Sequence, residues 1–256
     1  VEVKGVAPRT AASSSTFRQE EFAFQTVESP AQALRAVPGL LTAQHAGGGK
    51  ADQYLMRGFD ADHGMDLALY FDGIPVNLVS HAHGQGYSDL HFVIPETLET
   101  VDVYKGPYFA EFGNLAPAGA LQLRLRESFD ENFVRFQGGS FGTGRVVGGF
   151  SPRLGRGGGL VAVEGLVTDG PFRNPQNLQR ANFLTRWTQP IGGNRPGVDE
   201  KVHLLFTAYD GRWNGSGQIP LREVESGRLD RFDAVDPSEG GQSSRFNFGV
   251  SHQRLW

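Results

Sequence analysis

The 256-residue chain contains no cysteine, which excludes a disulfide framework and any site built on paired zinc-type thiolates. Lack of thiols suits an envelope protein exposed to changing redox conditions. It is also common in the cytosol, so it does not set the compartment by itself. No run of basic residues occurs and the net charge is −4, whereas a nucleic-acid binder would concentrate Lys and Arg on one face. No stretch approaches the ~18 consecutive apolar residues of a spanning helix, and no basic-then-apolar leader opens the chain, so the numbering is expected to begin at a mature end. That absence leaves barrel strands open, because these need only about 9 to 11 residues with every second one facing lipid. A phosphate-cradling glycine loop is also missing.

Glycine, by contrast, is abundant. Its 35 residues are about twice the usual ~7%, as expected of a chain rich in turns and close backbone contacts. The length allows one or two domains with a sizeable core. Two halves differ in periodicity. Residues 1–28, including Ala11 to Thr16, carry no sustained pattern and are expected to form a flexible arm. Ser29-Pro30 then supplies an N-cap and first-turn proline for a short helix with Leu34 and Val37 on one face, stopped by Pro38-Gly39. Short strands are expected at 53–57, 67–71, 100–104 and 120–125. A long segment, Asn77 to His91, falls between the second and third of these, and a helical turn begins near Pro95-Glu96. The mixture predicts an α+β domain over 29–126.

From 127 to 256 the pattern alternates. Val134 and Phe136 interleave with Arg135 and Gln137, and Val161, Val163 and Val167 with Ala162, Glu164 and Leu166. Ala181, Phe183 and Trp187 oppose Asn182 and Arg186. Val202, Leu204, Phe206 and Ala208 oppose His203 and Thr207, and Phe246, Phe248 and Val250 oppose Asn247 and Ser251. With a strand at 144–150, about six antiparallel strands result. One face is apolar, as for a surface against lipid, and the other polar, as for a wet lumen. A soluble sheet with one face on a core has the same alternation. Connection lengths favour the first reading. Pro152 to Gly159 and Pro190 to Glu200 are short to moderate, whereas Asp169 to Gln179 and Gly211 to Ser244 are longer, an asymmetry found between the two ends of outer-membrane barrels.

The most specific signal is Val101-Asp-Val-Tyr-Lys105-Gly-Pro107-Tyr-Phe-Ala-Glu-Phe-Gly113, continuing through Gly119-Ala-Leu-Gln-Leu-Arg-Leu125. It resembles the end of the plug domain of TonB-dependent outer-membrane receptors. Upstream, Val37-Pro-Gly-Leu40, Tyr54-Leu-Met-Arg57-Gly58 and Tyr70-Phe-Asp-Gly-Ile-Pro-Val76 stand in that family's order and rough spacing. The resemblance implies an α+β plug followed by antiparallel transmembrane strands of an incomplete barrel. It further implies TonB-energised uptake of a scarce solute (siderophore, metal complex, cobalamin or oligosaccharide) through the bacterial outer membrane. TonB at the arm, outer-membrane lipid and a small solute would be the partners. Val1-Glu-Val3 either belongs to the segment that TonB grips or lies just after it. Arg57 and Lys105 sit where related receptors carry basic residues that pair with barrel carboxylates, and are expected to form a plug latch whose partners lie beyond residue 256.

Five of the seven histidines fall between 45 and 91. His81 and His83, spaced to share one side of an extended segment, are candidate metal ligands, with His63, Asp89 and His91 able to complete an N/O site. His81, His83, Gln85, Tyr87, Asp89 and His91 are the candidate solute contacts, and loop histidines bonded to an organic solute satisfy the same pattern. A bound metal is expected only as solute, with no resident cofactor. Asp60, Asp62 and Asp66 around Gly64 lack the later Glu of a calcium loop and are read as a polar turn. Gly138-Gly-Ser140-Phe-Gly142 matches a nucleophile elbow by letter, but it leads into another strand rather than a helix, so a hairpin and no enzyme are expected. The competing function is a soluble, secreted, carbohydrate-binding β module whose loops present Tyr209 and Trp213.

Overall fold

The computed structural model describes residues 13–22, 30–44, 48–191 and 199–255. Val1 to Val3, Ser29, His45 and Trp256 lie outside the described residues. Among those described, no helix is long and apolar enough to cross a membrane, which says nothing of barrel strands. The described residues form fifteen strands in three sheets. The N-terminal part holds β1 (Ser13–Arg18), β2 (Leu40–Ala43), β3 (Gln53–Met56), β4 (Phe59–Asp60), β5 (Leu67–Phe71), β6 (Ile74–Pro75), β7 (Leu98–Lys105) and β8 (Gly119–Leu125). One sheet runs β1-β7-β8-β5-β6 and a smaller one β2-β3-β4. Among the described strands only β5 and β8 pair in parallel. Short 3-10 turns at Pro30–Ala36, Pro95–Thr97 and Ala110–Leu115 complete this unit.

Strands expected at 53–57, 67–71, 100–104 and 120–125 coincide with β3, β5, β7 and β8. Two local differences have physical causes. The helix expected after Ser29-Pro30 is a 3-10 turn, since the stretch between Pro30 and the Pro38-Gly39 stop is too short to repay α-helix nucleation. Residues 13–18, expected in the flexible arm, instead form β1 against residues 100–105 of β7. Backbone pairing there does not depend on an apolar pattern. Ser13 to Thr16 supply little hydrophobic signal, while β7 would otherwise present an open edge.

The second half is one antiparallel sheet. Its strands are β9 (Phe133–Gly138), β10 (Gly144–Phe150), β11 (Arg153–Leu154), β12 (Gly157–Thr168), β13 (Leu178–Pro190), β14 (Asp199–Asn214) and β15 (Gly240–Leu255). The order β15-β14-β13-β12-β10-β9, with the small β11 hairpinned onto β12, leaves both edges open: six long strands form a wall, not a closed barrel. Ser140 lies in the tight β9–β10 hairpin, with Phe141 and Gly142 at positive φ, so the letters of a nucleophile elbow are a turn here. The connections 169–177 and 215–239 lie at one end with that hairpin, and 151–156 at the other.

The outer face carries the expected apolar set: Val134, Phe136, Val163, Leu204, Phe206, Phe246 and Phe248 are exposed, and Val161, Phe183, Trp187 and Val202 are partly so. The inner face differs from the expected wet lumen. Val147, Leu160, Ala162, Leu184, Leu205 and Tyr209 are buried in one continuous core with Leu69, Phe71, Phe92 and Leu121 of the N-terminal unit. That unit fills the concave side, so apolar residues there remove surface from water just as in any core. Tyr209 and Trp213, placed on loops by the soluble-module reading, both belong to β14.

Candidate functional site

The segment after β6 closes into a compact loop because Asn77 staples its base. The Asn77 amide nitrogen donates to the carbonyls of Gly64, Leu67 and Gly86 at 2.9–3.0 Å, and its oxygen accepts from the Leu69 N–H at 2.7 Å. Leu78 and Gly86 then bond across the loop. Gly86 has φ +81 and its Cα approaches Met65 so closely that a Cβ would lie 3.1 Å from the Met65 Cα, a position for glycine on both counts. Nothing in the sequence pattern marks Asn77 as the staple, since a lone Asn before a loop is also ordinary turn chemistry.

On this loop His81, His83 and Gln85 are exposed and Tyr87 is half-buried. His81 stacks on Tyr87 with ring centroids 4.0 Å apart, and its Nδ1 accepts the His83 N–H at 3.2 Å. His83 turns instead toward the β4–β5 turn. There Asp62, His63 and His83 bring one ligand atom each to within 4.8 Å of one another. The candidate pair His81 and His83 is therefore split: His83 joins His63, and Asp62 takes the place that the sequence offered to His81. Asp62 has φ 39, and the Asp60 carboxylate accepts its N–H. This left-handed step breaks the strand alternation that would send adjacent side chains to opposite sides, and Asp tolerates it better than most residues. Burial pushes the His63 imidazole below its ordinary pKa, with partial opposition from its bond to the Asp52 carbonyl and from Asp62. A neutral ring results, as a ligand requires.

Asp89 and His91 lie deeper and do not reach this cluster. His91 Nδ1 contacts Asp89 Oδ1 at 2.6 Å, both residues are buried, and His91 stacks at 6.4 Å on Tyr209 of the wall. Burial alone would lower the His91 pKa, but the Asp89 charge and hydrogen bond outweigh it and hold the imidazole above its ordinary value. Burial likewise works against the Asp89 carboxylate, and the His91 contacts reverse it, leaving the acid below the usual range. Burial, with the Asp89 charge, pushes the Tyr87 phenol up to about 12. Asp89 and His91 are thus a buried pair within the plug that packs against the wall, beneath the exposed face of the loop.

Loop and wall meet at the end of the sheet that carries the longer connections. The Gly48 N–H donates to Gln176 in the 169–177 connection at 3.2 Å. Trp213 packs so closely over Gly49 that a Cβ there would lie 2.0 Å from its ring. Ala51 bonds Tyr87, and Asp52 bonds His63. The histidine loop is accordingly at the apex of the plug, beside the long connections.

What fastens plug to wall is a chain of alternating charges. Glu96, in the Pro95–Thr97 turn, receives a two-pronged bond from Arg145 of β10 at 2.7 and 2.8 Å. Arg145 also donates to Glu164 of β12, which takes Arg180 of β13 on its other oxygen at 2.9 Å. Asn182 links Glu164 to the His91 carbonyl. Glu164 is fully buried and its partners nearly so. Burial would raise the Glu96 pKa, but Arg145 holds it below the ordinary value. A second clamp joins Asp72, in the turn after β5, to Arg186 of β13 at 3.0 Å. A third runs from Arg245 of β15 to the Val76 carbonyl, with its guanidinium 4.8 Å from the Phe92 ring centroid. Within the described residues the polarity is thus opposite to the one expected at Arg57 and Lys105: plug carboxylates meet wall arginines. Arg145, Glu164 and Arg186 had a visible signal, charges alternating with apolar residues in strands, but it equally fits a water-lined lumen.

Arg57 is exposed at φ 50, while Lys105 is buried with its ammonium donating to the Pro38 carbonyl at 2.8 Å. Burial, and then the nearby Arg57 charge, lower the Lys105 pKa. Lys105 sits at the far end of β7 from Leu98, about 20 Å along the strand from the Glu96 clamp. No strand of the described wall supplies either cation with a carboxylate.

Comparison with known proteins gives one family whose model matches, the TonB-dependent receptor plug domain, over residues 7–120. The chain is 35% identical over 115 residues to the ferrioxamine receptor of Yersinia enterocolitica, covering 44% of this chain and 15% of that protein. It is similar in structure to the ferric citrate transporter FecA in its unliganded form, with a TM-score of 0.72 and 16% identity, covering 95% of this chain and 38% of that one. It is also similar to the ferric yersiniabactin uptake receptor FyuA of Yersinia pestis, with a TM-score of 0.69 and 16% identity, again covering 95% and 38%. The chain therefore spans about a sixth of the curated relative's length. Residues 7–120 thus match the TonB-dependent receptor plug domain, and the plug-filled wall of unclosed antiparallel strands shares the fold of outer-membrane receptors that carry such a plug.

Proposed function

We propose that this chain is the N-terminal part of a receptor that takes up a ferric siderophore, with energy delivered through TonB. The observation that carries the reading is the similarity of the plug to the ferrioxamine receptor, at 35% identity over 115 residues. A plug seated on the inner face of the wall, with its histidine loop beside the long connections, is the arrangement such a task requires. In this reading residues 1–28 reach toward TonB around Val1-Glu-Val3, 29–126 form the plug, with β1 added to its sheet, and 127–256 begin the barrel. His81, His83, Gln85 and Tyr87 meet the solute, while Asp89 and His91 brace the loop from beneath. Arg57 and Lys105 await carboxylates on strands that follow the described wall.

The test is uptake of radioiron by cells that lack their own siderophore receptors and express the complete receptor. Accumulation from ferrioxamine that disappears when TonB is deleted is the expected result. Absence of uptake from ferrioxamine and from a panel of citrate, catecholate and mixed-ligand iron complexes would refute the reading. For the contacts, replacing His81 and His83 together by Ala is expected to weaken solute binding while barrel assembly is retained.

A further inference from the structure

Two separations within the Asp62, His63 and His83 cluster, each to a different Asp62 oxygen, are longer than hydrogen bonds and near those between ligands of one ion. His63 Nε2 lies 3.6 Å from Asp62 Oδ1, and His83 Nε2 lies 3.4 Å from Asp62 Oδ2. Both exceed the 2.7–3.2 Å of a hydrogen bond. They match the separation of about 3.4 Å between two ligand atoms that each sit about 2.0–2.1 Å from a tetrahedral ion. The rings of His63 and His83 meet edge to face at 4.5 Å between centroids, and the ligand atoms of all three residues lie within 4.8 Å of one another.

Tautomer and support agree with this. His63 is buried, and its Nδ1 bonds the Asp52 carbonyl at 3.2 Å. A carbonyl only accepts, so Nδ1 carries the proton and the Nε2 lone pair points at Asp62 and His83. A backbone carbonyl behind the ring is the usual outer support of a ligating histidine. The His63 carbonyl in turn accepts from Ser88 N–H at 2.7 Å and Ser88 Oγ at 3.1 Å, fixing the residue to the loop that bears His83. Asp62 and His83 are both more than a third exposed, which leaves the remaining coordination positions open to water or to an incoming ligand. An exposed His–Asp ion pair, the alternative use of these groups, is worth little and does not need the buried third member.

We propose that Asp62, His63 and His83 form a labile, three-ligand site for a bare divalent transition-metal ion at the plug apex, with Cu(II) bound more tightly than Ni(II) or Zn(II). Two imidazoles and a carboxylate suit these ions, and their order follows from intrinsic affinity at an open site without geometric selection. The bound ion would tie the 77–91 loop to the β4–β5 turn. This proposal is independent of the uptake reading, since it concerns an ion and not a siderophore.

The test is titration of CuCl2 into the metal-stripped receptor in detergent, followed by calorimetry and by electron paramagnetic resonance, with neither siderophore nor TonB present. One high-affinity ion per chain is expected, with hyperfine structure from two nitrogens. His83→Ala, an exposed change, should weaken binding about tenfold or more and remove one nitrogen from the spectrum, and Asp62→Asn should weaken it while both nitrogens remain. Affinity should fall on acidification, since protonated imidazoles cannot ligate. His252→Ala, on the wall, should change nothing. Equal affinity and an unchanged spectrum in His83→Ala would overturn the proposal, as would equal losses in His83→Ala and His252→Ala, the mark of adventitious surface binding.

Discussion

At the scale of single residues Arg145 is held by two carboxylates, and the worth of those contacts depends on burial. Glu96 and Glu164 both contact Arg145 below 3 Å in a nearly dry setting, where removal of one partner strands a charge and costs about 3–5 kcal/mol. Arg145→Ala takes the two-pronged partner from Glu96 and leaves Glu164 with Arg180 and Asn182 on one oxygen only, whereas Glu96→Ala leaves Arg145 still bound to Glu164. The arginine change should therefore be the costlier, and a double-mutant cycle between 96 and 145, read from denaturant release of the plug, should show strong coupling. A coupling under ~0.5 kcal/mol would place the pair with exposed ones. The Asp89–His91 pair gives a pH dependence whose sign follows from its two shifts. His91 is raised, so its contribution is complete below the unfolded imidazole value near 6.5 and is lost as pH climbs through the higher folded one. Asp89 is lowered, so its contribution is complete above about 3.9 and is lost as pH falls through the lower folded one. Asp52, Arg180, Arg245, Tyr54 and Tyr209 also face this pair, so the comparison has to be made against His91→Gln. Hydrogen exchange of residues 88–94 should show wild-type protection greatest between about pH 4 and 6.5 and declining above, with the variant flat across that upper limb. Parallel profiles would show that the pair does not stabilise the plug.

Secondary structure elements were legible in proportion to how much their own residues decide them. The wall was readable because one side of every long strand contacts a single medium, so Val161, Val163, Phe206 and Phe248 alternate cleanly. β1 was not, because Ser13 to Thr16 take their conformation from the edge of β7 rather than from apolar burial. The inner face misled for a related reason. Asn182 and Thr207 look like lumen residues, yet Asn182 bonds the His91 carbonyl and Thr207 accepts from Asn247, both fully or nearly buried. An Arg at either should be as harmful as one facing lipid, contrary to the tolerance that a wet lumen implies. The informative contrast lies within β15, where Phe248 faces outward and Ser251 is an exposed inner position. Phe248→Arg should cost about 2–4 kcal/mol if that site is near the bilayer midplane, and Ser251→Arg under about 1. Assembly in the outer membrane, scored by heat-modifiable migration, measures both; equal tolerance would deny that the outer face contacts lipid.

Over the whole molecule, half of the candidate site was visible beforehand and half depended on tertiary contact. His83, His81 and the length of the 77–91 loop are sequence properties, but the meeting of Asp62 with His63 and His83 depends on one left-handed residue and on Asn77, neither of which has a periodic signal. The same division governs stability. Plug and wall share one apolar core, while the far face of the wall leaves Val134, Phe136, Phe246 and Phe248 more than 60% exposed. Both lateral edges, β9 and β15, have unpaired backbone groups along one side. Exposed apolar surface beside an unpaired strand edge is the combination that drives association in water. The 256-residue chain should therefore be monodisperse only in detergent, and should sediment as aggregate once detergent is removed. Within that detergent-solubilised chain, the shared core predicts that plug and wall lose structure together, with Trp213 at their apex reporting the same denaturant midpoint as amides of β7 and β8. A chain that stays monomeric without detergent would favour the soluble binding module over the lipid-facing wall, and two separate midpoints would show that the plug holds together without the wall it rests on.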